Sequence, residues 1–168
     1  LGIQIALLLK CSIVEEVHVM RKTVSDGSTP MGFQRTMIIG KDGFVKYKGK
    51  KIPITHVSLE EDAAAIVKEE DGNVTYRLNR LGVPLIEIGT GLLVNFSPEE
   101  IEEIAYLIGI TCKSTEKIKK GIGTIRQDLN VSIKKGERVE IKGVQELGLL
   151  AKVIELEVKR QLSLPKVE

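Results

Sequence analysis

The stretch GIGTIRQDLNVSIKKGERVEIKGVQEL, residues 121–147, reads as two β-strands joined by a short turn. Ile125, Leu129, Val131 and Ile133 supply the apolar side of the first strand. Val139 and Ile141 alternate with Arg138, Glu140 and Lys142 in the second, the pattern of a half-buried strand. Lys134-Lys135-Gly136-Glu137 forms the turn, with Gly136 free to take positive φ. Arg126, Asp128 and Asn130 occupy alternate positions, as do Arg138, Glu140 and Lys142. Each set of three is therefore expected on one face of the sheet. A face that mixes guanidinium, carboxylate and amide groups suits a charged ligand. A solvated hairpin face with cross-strand ion pairs fits the same pattern.

Beyond this stretch, 168 residues are enough for one domain with a real core, here expected over residues 1–168. Aromatic residues are scarce, so the core must be mostly aliphatic. A net charge of +2 does not announce a nucleic-acid binder by electrostatics alone. Cys11 and Cys112 lie far apart and in no metal-ligand spacing, which points to a reducing, cytoplasmic setting. With only His18 and His56, there is little material for a zinc site or a histidine-based triad. Lys, Glu and Ile usage leans weakly towards that of thermophile proteins. The apolar run Gly2 to Leu9 is too short to span a membrane and lacks the flanks of a signal peptide. It reads as the end of a core helix, as though the chain were an internal piece of a longer protein.

Ser12 to Val24 reads as a strand, interrupted by Glu15-Glu16. Ser25 to Gly32 is a hydroxyl-rich loop, either a plain connection or a phosphate cradle built from backbone N–H groups. Phe33 to Ile39 is a second strand, and Lys41-Asp42-Gly43 carries the Asp-Gly signature of a tight turn. Phe44 to Lys51 is a small basic hairpin with Gly49 at its tip. Ile52 to Leu59 is a strand that Pro53 assigns to a sheet edge. Glu60-Glu61-Asp62 follows. Three crowded acids suit either a cation or the first turn of a helix entering Ala63-Ala64-Ala65. Val74 to Asn79 and Val83 to Ile88 are further strands. Glu87 interrupts the apolar run of the latter, where a charge needs a partner or a metal. Ser97-Pro98-Glu99-Glu100 is a capping box that opens a helix, with Ile101, Ile104, Ala105 and Ile108 as its buried stripe. Glu146 to Leu162 is a second amphipathic helix, with Leu147, Leu150, Ala151, Ile154 and Val158 inward. Glu155 is placed to pair with Lys159, and Pro165 ends the helix. The fold class is α+β, a mostly antiparallel twisted sheet with helices on one face.

Four segments, EVHVMRKTVSDGSTPMGFQRT (16–36), SLEEDAA (58–64), YRLNRLGVPLIEIGT (76–90) and residues 121–147, occur in the order found in a known family. Together they resemble the E subunit of the archaeal glutamyl-tRNA(Gln) amidotransferase, a relative of the bacterial B subunit, over nearly the whole chain. The resemblance implies a glutamine-synthetase-like cradle. It also implies a carbon–nitrogen ligase that phosphorylates the glutamate of Glu-tRNA(Gln) with ATP and Mg²⁺. Ammonia from an asparaginase-like D subunit then displaces the phosphate to give Gln-tRNA(Gln), and the same resemblance implies that the two subunits form a heterotetramer. Glu61 and Glu87 match family carboxylates that bind metal, with Glu60 as an alternative to Glu61. Arg21, Lys22 and Arg126 are candidates for phosphate contacts by chemical type. Asp128 and Glu140 join the site, and Gln127 and Asn130 suit the wall of an ammonia path. A non-catalytic scaffold that binds tRNA or the D subunit is the alternative, as is a bacterial-type B subunit.

The family's N-terminal Gly-Leu-Glu-Ile-His-type motif, its inserted synthetase-like domain and its tRNA-holding helical and tail regions have no counterpart in these residues. Thr90-Gly91-Leu92-Leu93 stands where relatives carry a Thr-Ala-Pro-Asp-like turn. The piece is therefore expected to be inactive alone.

Overall fold

Two glycines let the first helix settle on the main sheet. The computed structural model describes residues 1–121, 123–134 and 136–164. Helix α1 (Gly2–Leu8) buries Ile5 and Ala6. A Cβ on Gly40 would stand 2.9 Å from the Ala6 Cβ, and one on Gly43 would collide with Cys11 Sγ and with the Leu9 carbonyl oxygen. The chain divides into two compact units, Leu1–Leu92 and Leu93–Glu168. Among the described residues no helix is long and apolar enough to cross a membrane.

In the first unit the strands are β1 (Ser12–Ile13), β2 (Met20–Thr23), β3 (Phe33–Tyr47), β4 (Lys50–Glu61), β5 (Ala65–Glu70), β6 (Asn73–Arg77) and β7 (Pro84–Thr90). The main sheet runs β1-β3-β4-β7, with β2 also paired to β3, and every described pairing is antiparallel. β5 and β6 form a separate hairpin around Asp71 and Gly72, both at positive φ. Ile39, Val45, Ile52, Ile54 and Val57 form the aliphatic core of the main sheet.

Four sequence expectations change here. The strand expected over Ser12 to Val24 is two short pieces, because Glu15-Glu16 interrupts it and Val17 and Val19 are left exposed. Lys41-Asp42-Gly43 does not turn: β3 continues through it, Asp42 takes φ 56°, and Gly43 serves the close approach of the Cys11 segment. The turn comes at Lys48 and Gly49, both at positive φ, as a two-residue hairpin loop suits. Pro53 sits on β4, an interior strand. Its carbonyl accepts from the Gly91 N–H at 2.8 Å, so its backbone faces the β7 side, beyond the last β4–β7 pair at Ile54 and Thr90. The missing N–H therefore falls where the ladder has ended, which is the local equivalent of an edge. Finally, Glu60-Glu61-Asp62 does not open a helix; it ends β4, and β5 follows.

The second unit holds α2 (Pro98–Lys113), the hairpin β8 (Gln127–Val131) and β9 (Val139–Val144), a 3-10 turn (Leu147–Leu149) and α3 (Leu150–Ser163). The capping box forms: the Glu100 N–H donates to Ser97 Oγ at 3.2 Å, and the Ser97 N–H donates to Glu100 Oε2 at 3.1 Å. Val131, Leu150 and Ile154 centre the core, with Ile101, Ala105, Leu129, Ile141, Leu147 and Val158 around them. α3 thus packs on β8, and α2 packs against α3 and the 3-10 turn. Glu155 pairs with Lys152 at 3.6 Å, not with Lys159, because the i,i+3 neighbour lies as close as the i,i+4 one. The Pro165 stop and the Lys135 turn position lie outside the described residues.

Buried Gln161 joins α3 to the end of β8. Its amide donates to the Val131 carbonyl at 3.0 Å, and its oxygen accepts from the Ile133 N–H at 3.2 Å. Glu157 holds Gln161 at 2.8 Å and Arg160 at 2.8 Å, and the Arg160 and Gln161 hydrogen bonds push its pKa down to about 2.

Gly43→Ala is expected to lower unfolding stability by about 1–3 kcal/mol through overpacking against backbone, read from urea unfolding by far-UV circular dichroism. Glu157 has a depressed folded pKa. It contributes stability above the ordinary carboxylate range and loses it as pH falls through about 2. In Glu157→Gln that part of the acid-stability profile is expected to flatten.

Candidate active site on the main sheet

Strand alternation decides which acids meet. On β4, Ser58 lies opposite Glu87 of β7 and Glu60 lies opposite Leu85, with the register unbroken from His56 to Glu61. Directly opposed residues share a face, as do residues two apart on one strand. His56, Ser58, Glu60 and Glu87 therefore share one face. Thr36 of β3, opposite Glu60, joins them, as does Lys22 of β2 through its pairing with Gln34. Ser58 is buried at the centre of this set.

The Glu60 side chain is largely enclosed and well supplied with donors. Thr36 Oγ1 donates to Oε1 at 2.9 Å, Lys22 Nζ reaches the same oxygen at 3.3 Å, and Gln34 Nε2 reaches Oε2 at 3.4 Å. Gln34 also donates to the Glu61 carbonyl at 2.6 Å, fixing the end of β4. Glu87 is exposed by area, yet enough protein surrounds its carboxyl to penalise the charged form. That burial raises its pKa, and the Glu60 charge raises it further. Lys22 opposes the rise, a side-chain hydrogen bond with Glu60 adds to it, and His56 opposes it weakly.

His56 is held in a fixed pose. Thr55 Oγ1 donates to the Gly89 carbonyl at 3.0 Å and lies 3.0 Å from His56 Nδ1. The Nδ1 side of the ring is thereby turned to Thr55. The ring lies over Gly89, where an added Cβ would stand 2.7 Å from Nδ1.

The other face of the same strands carries a second charged group. Glu61 Oε1 meets Arg35 Nη2 at 2.8 Å, and the Arg35 hydrogen bond holds the Glu61 carboxyl below its usual range. Arg21 lies directly opposite Arg35, with its guanidinium 5.7 Å from the centre of the Phe33 ring.

The structure thus sorts the sequence candidates. Glu60, Glu87 and Lys22 come together. Glu61 and Arg21 lie on the opposite face, because a strand turns adjacent residues to opposite sides. The carboxylates that crowd on one face are therefore Glu60 and Glu87, and Glu61 is occupied by Arg35. Arg126, Asp128 and Glu140 belong to the second unit. There the Gly143 N–H donates to Asp128 Oδ1 at 2.8 Å, where the β8–β9 register shifts and Gly143 takes positive φ. Glu140 pairs with Lys142 at 3.8 Å. Gln127 Oε1 is buried without a hydrogen-bond partner, alone in this among the described residues. The Ser25–Gly32 loop turns its groups inward: both the Ser28 N–H and its hydroxyl donate to Asp26, at 2.9 and 2.6 Å. Its phosphate-cradle reading gains no support.

Sequence reading missed Gln34, Arg35, Thr36 and His56. For His56 the signal was available in the alternation His56, Ser58, Glu60. For the β3 residues it was not, since their role depends on cross-strand register.

Among the described residues no three or more His, Cys, Asp or Glu side chains converge as a complete metal site. Two crowded carboxyls do suit Mg²⁺, which keeps several waters and takes one or two carboxylates plus substrate phosphates. The raised pKa of Glu87 marks negative charge that a divalent cation would relieve.

Residues 1–166 match the GatB/GatE catalytic domain model. The chain belongs to that family. It is 48% identical over 167 residues to the glutamyl-tRNA(Gln) amidotransferase E subunit of Archaeoglobus fulgidus, covering 99% of this chain and 27% of the relative. It is 52% identical over 166 residues to the E subunits of Aeropyrum pernix and Pyrococcus abyssi, covering 99% of this chain and 26% of each. The chain thus spans about a quarter of the length of these relatives.

If Glu60 crowds Glu87, Glu60→Gln is expected to lower the Glu87 pKa without returning it fully to the ordinary range, because burial remains. A carboxyl-carbon NMR titration of Glu87 reads this, and an unchanged value would remove Glu60 as a cause.

Proposed function

We propose that this chain is the carboxylate-activating part of a tRNA-dependent amidotransferase of the archaeal E-subunit type. The protein uses ATP to phosphorylate the glutamate of Glu-tRNA(Gln), and ammonia then displaces the phosphate to give Gln-tRNA(Gln). The observation that carries this reading is the Glu60–Glu87 pair on one sheet face, with Lys22 beside it, in a chain about half identical to proteins named as glutamyl-tRNA(Gln) amidotransferases. The sheet is read as a glutamine-synthetase-like cradle, and an asparaginase-like D subunit as the source of ammonia.

Phosphoryl transfer to a carboxylate demands little covalent help from the protein. It demands positioning and the neutralisation of developing charge. Glu60 and Glu87 would hold Mg²⁺, which supplies charge neutralisation for the phosphates when bound. Thr36 and Gln34 hold the Glu60 carboxylate in place through their hydrogen bonds. Lys22, exposed on the outer side of Glu60, can pivot from that carboxylate to a phosphate oxygen. His56 is a donor or acceptor for substrate at the other flank of Glu87. Gln127, in the second unit, carries an uncharged buried oxygen of the kind that suits the wall of an ammonia path.

In the full-length enzyme, with ATP, Mg²⁺ and Glu-tRNA(Gln), Glu87→Ala is expected to abolish formation of the phosphorylated intermediate while tRNA binding survives. Full phosphorylation in that variant would overturn the assignment. Loss of tRNA binding with it would favour a scaffold role.

A further inference from the structure

The activation site uses one face of the main sheet. The opposite face, at the same end, carries an arrangement that the activation chemistry does not use. Arg21 and Arg35 are cross-strand partners, so their side chains leave the sheet side by side. Like charges in that position repel, and the structure compensates only one of them. Arg35 is paired with Glu61 at 2.8 Å. Arg21 has no carboxylate within ion-pair reach among the described residues; it is braced by the Phe33 ring, 5.7 Å from its guanidinium. Both arginines are exposed. Two guanidiniums and one carboxylate leave one positive charge, held in a fixed orientation by a ring and an ion pair.

We infer that the Arg21–Arg35 pair, on the face opposite Glu60 and Glu87, is a contact for a phosphodiester of the RNA substrate's backbone. A guanidinium matches phosphate with two parallel hydrogen bonds, and stacking on Phe33 lowers the entropy lost on binding. One surplus charge suits a singly charged phosphodiester; the polyanionic tail of a nucleotide calls for more. Position gives the same answer. Phosphates held through a cation at Glu60 and Glu87 would lie on the other face, the side of Lys22 and not of Arg21. The two adjacent residues Arg21 and Lys22 are thereby divided between two ligands by strand alternation. The identity of the RNA rests on the proposed function.

The test uses the full-length protein and fluorescently labelled tRNA(Gln) over a range of salt concentrations. Arg21→Ala removes no ion pair and is the variant of choice; an unchanged circular dichroism spectrum establishes its folding. It is expected to weaken RNA binding roughly tenfold and to reduce the salt slope by about 0.7–0.9, the effect of removing one phosphate interaction. Arg21→Lys is expected to restore the slope more than the affinity, because a lysine keeps the charge and forgoes the bidentate geometry. KM for ATP is expected to stay unchanged. Unaltered RNA affinity and salt slope in Arg21→Ala would overturn the inference, as would a raised KM for ATP with RNA binding intact, which would assign Arg21 to the nucleotide. Absence of RNA binding by the unaltered protein would overturn this inference together with the functional reading. Retained activity in Glu87→Ala would strike the functional site alone.

Discussion

Everything at the candidate site depends on the phase of β4. This strand is paired on both sides, so each side chain is committed to one face. From His56 to Glu61 the pairing to β7 is unbroken. Two single-residue irregularities adjoin that stretch, at Thr55 on β4 just before it and at Ile39 on β3 opposite Val57 and Ser58. A slip of one residue would exchange the faces, moving Glu60 away from Glu87 and bringing Glu61 in its place. The irregularities are therefore part of the site. They let the strands change phase after the α1 contact, where Ile52 and Ile54 are fully buried.

The two faces handle charge in different ways. On one, Glu60, held by Thr36, Lys22 and Gln34, stands on the face of a Glu87 whose charged form is penalised. On the other, Glu61 is kept ionised by Arg35, and Arg21 is left with surplus charge. One set of strands thus carries crowded carboxyls on one face and surplus guanidinium charge on the other. A short strand such as β2 serves both, since Arg21 and Lys22 are neighbours that point apart.

Local signals were readable where local physics decides. The capping box at Ser97 formed as its spacing requires, because its hydrogen bonds close within one turn. The stripe of α3 was equally plain, as helical periodicity holds without knowledge of partners. Asp42-Gly43 and Pro53 misled for a common reason. Each has a strong local preference, and each sits where a neighbouring segment sets the requirement: the Cys11 segment pressing on Gly43, and the end of the β7 ladder beside Pro53. Gly89 is similar, since the His56 ring over it explains the absence of a side chain.

The family, the α+β class and the residue types that carry the chemistry were legible in the order of residues. Long ordered motifs and helical or strand periodicity are properties of the chain alone. That Glu60, not Glu61, meets Glu87 was settled by folding, as was the presence of Lys22 beside them and the exclusion of Arg21. Folding also placed Thr36, Gln34 and His56 on the same face. The reason is that strand alternation tells which residues of one strand share a face. It does not tell which residues of two strands stand opposite one another, and that register is set by bulges and packing far along the chain.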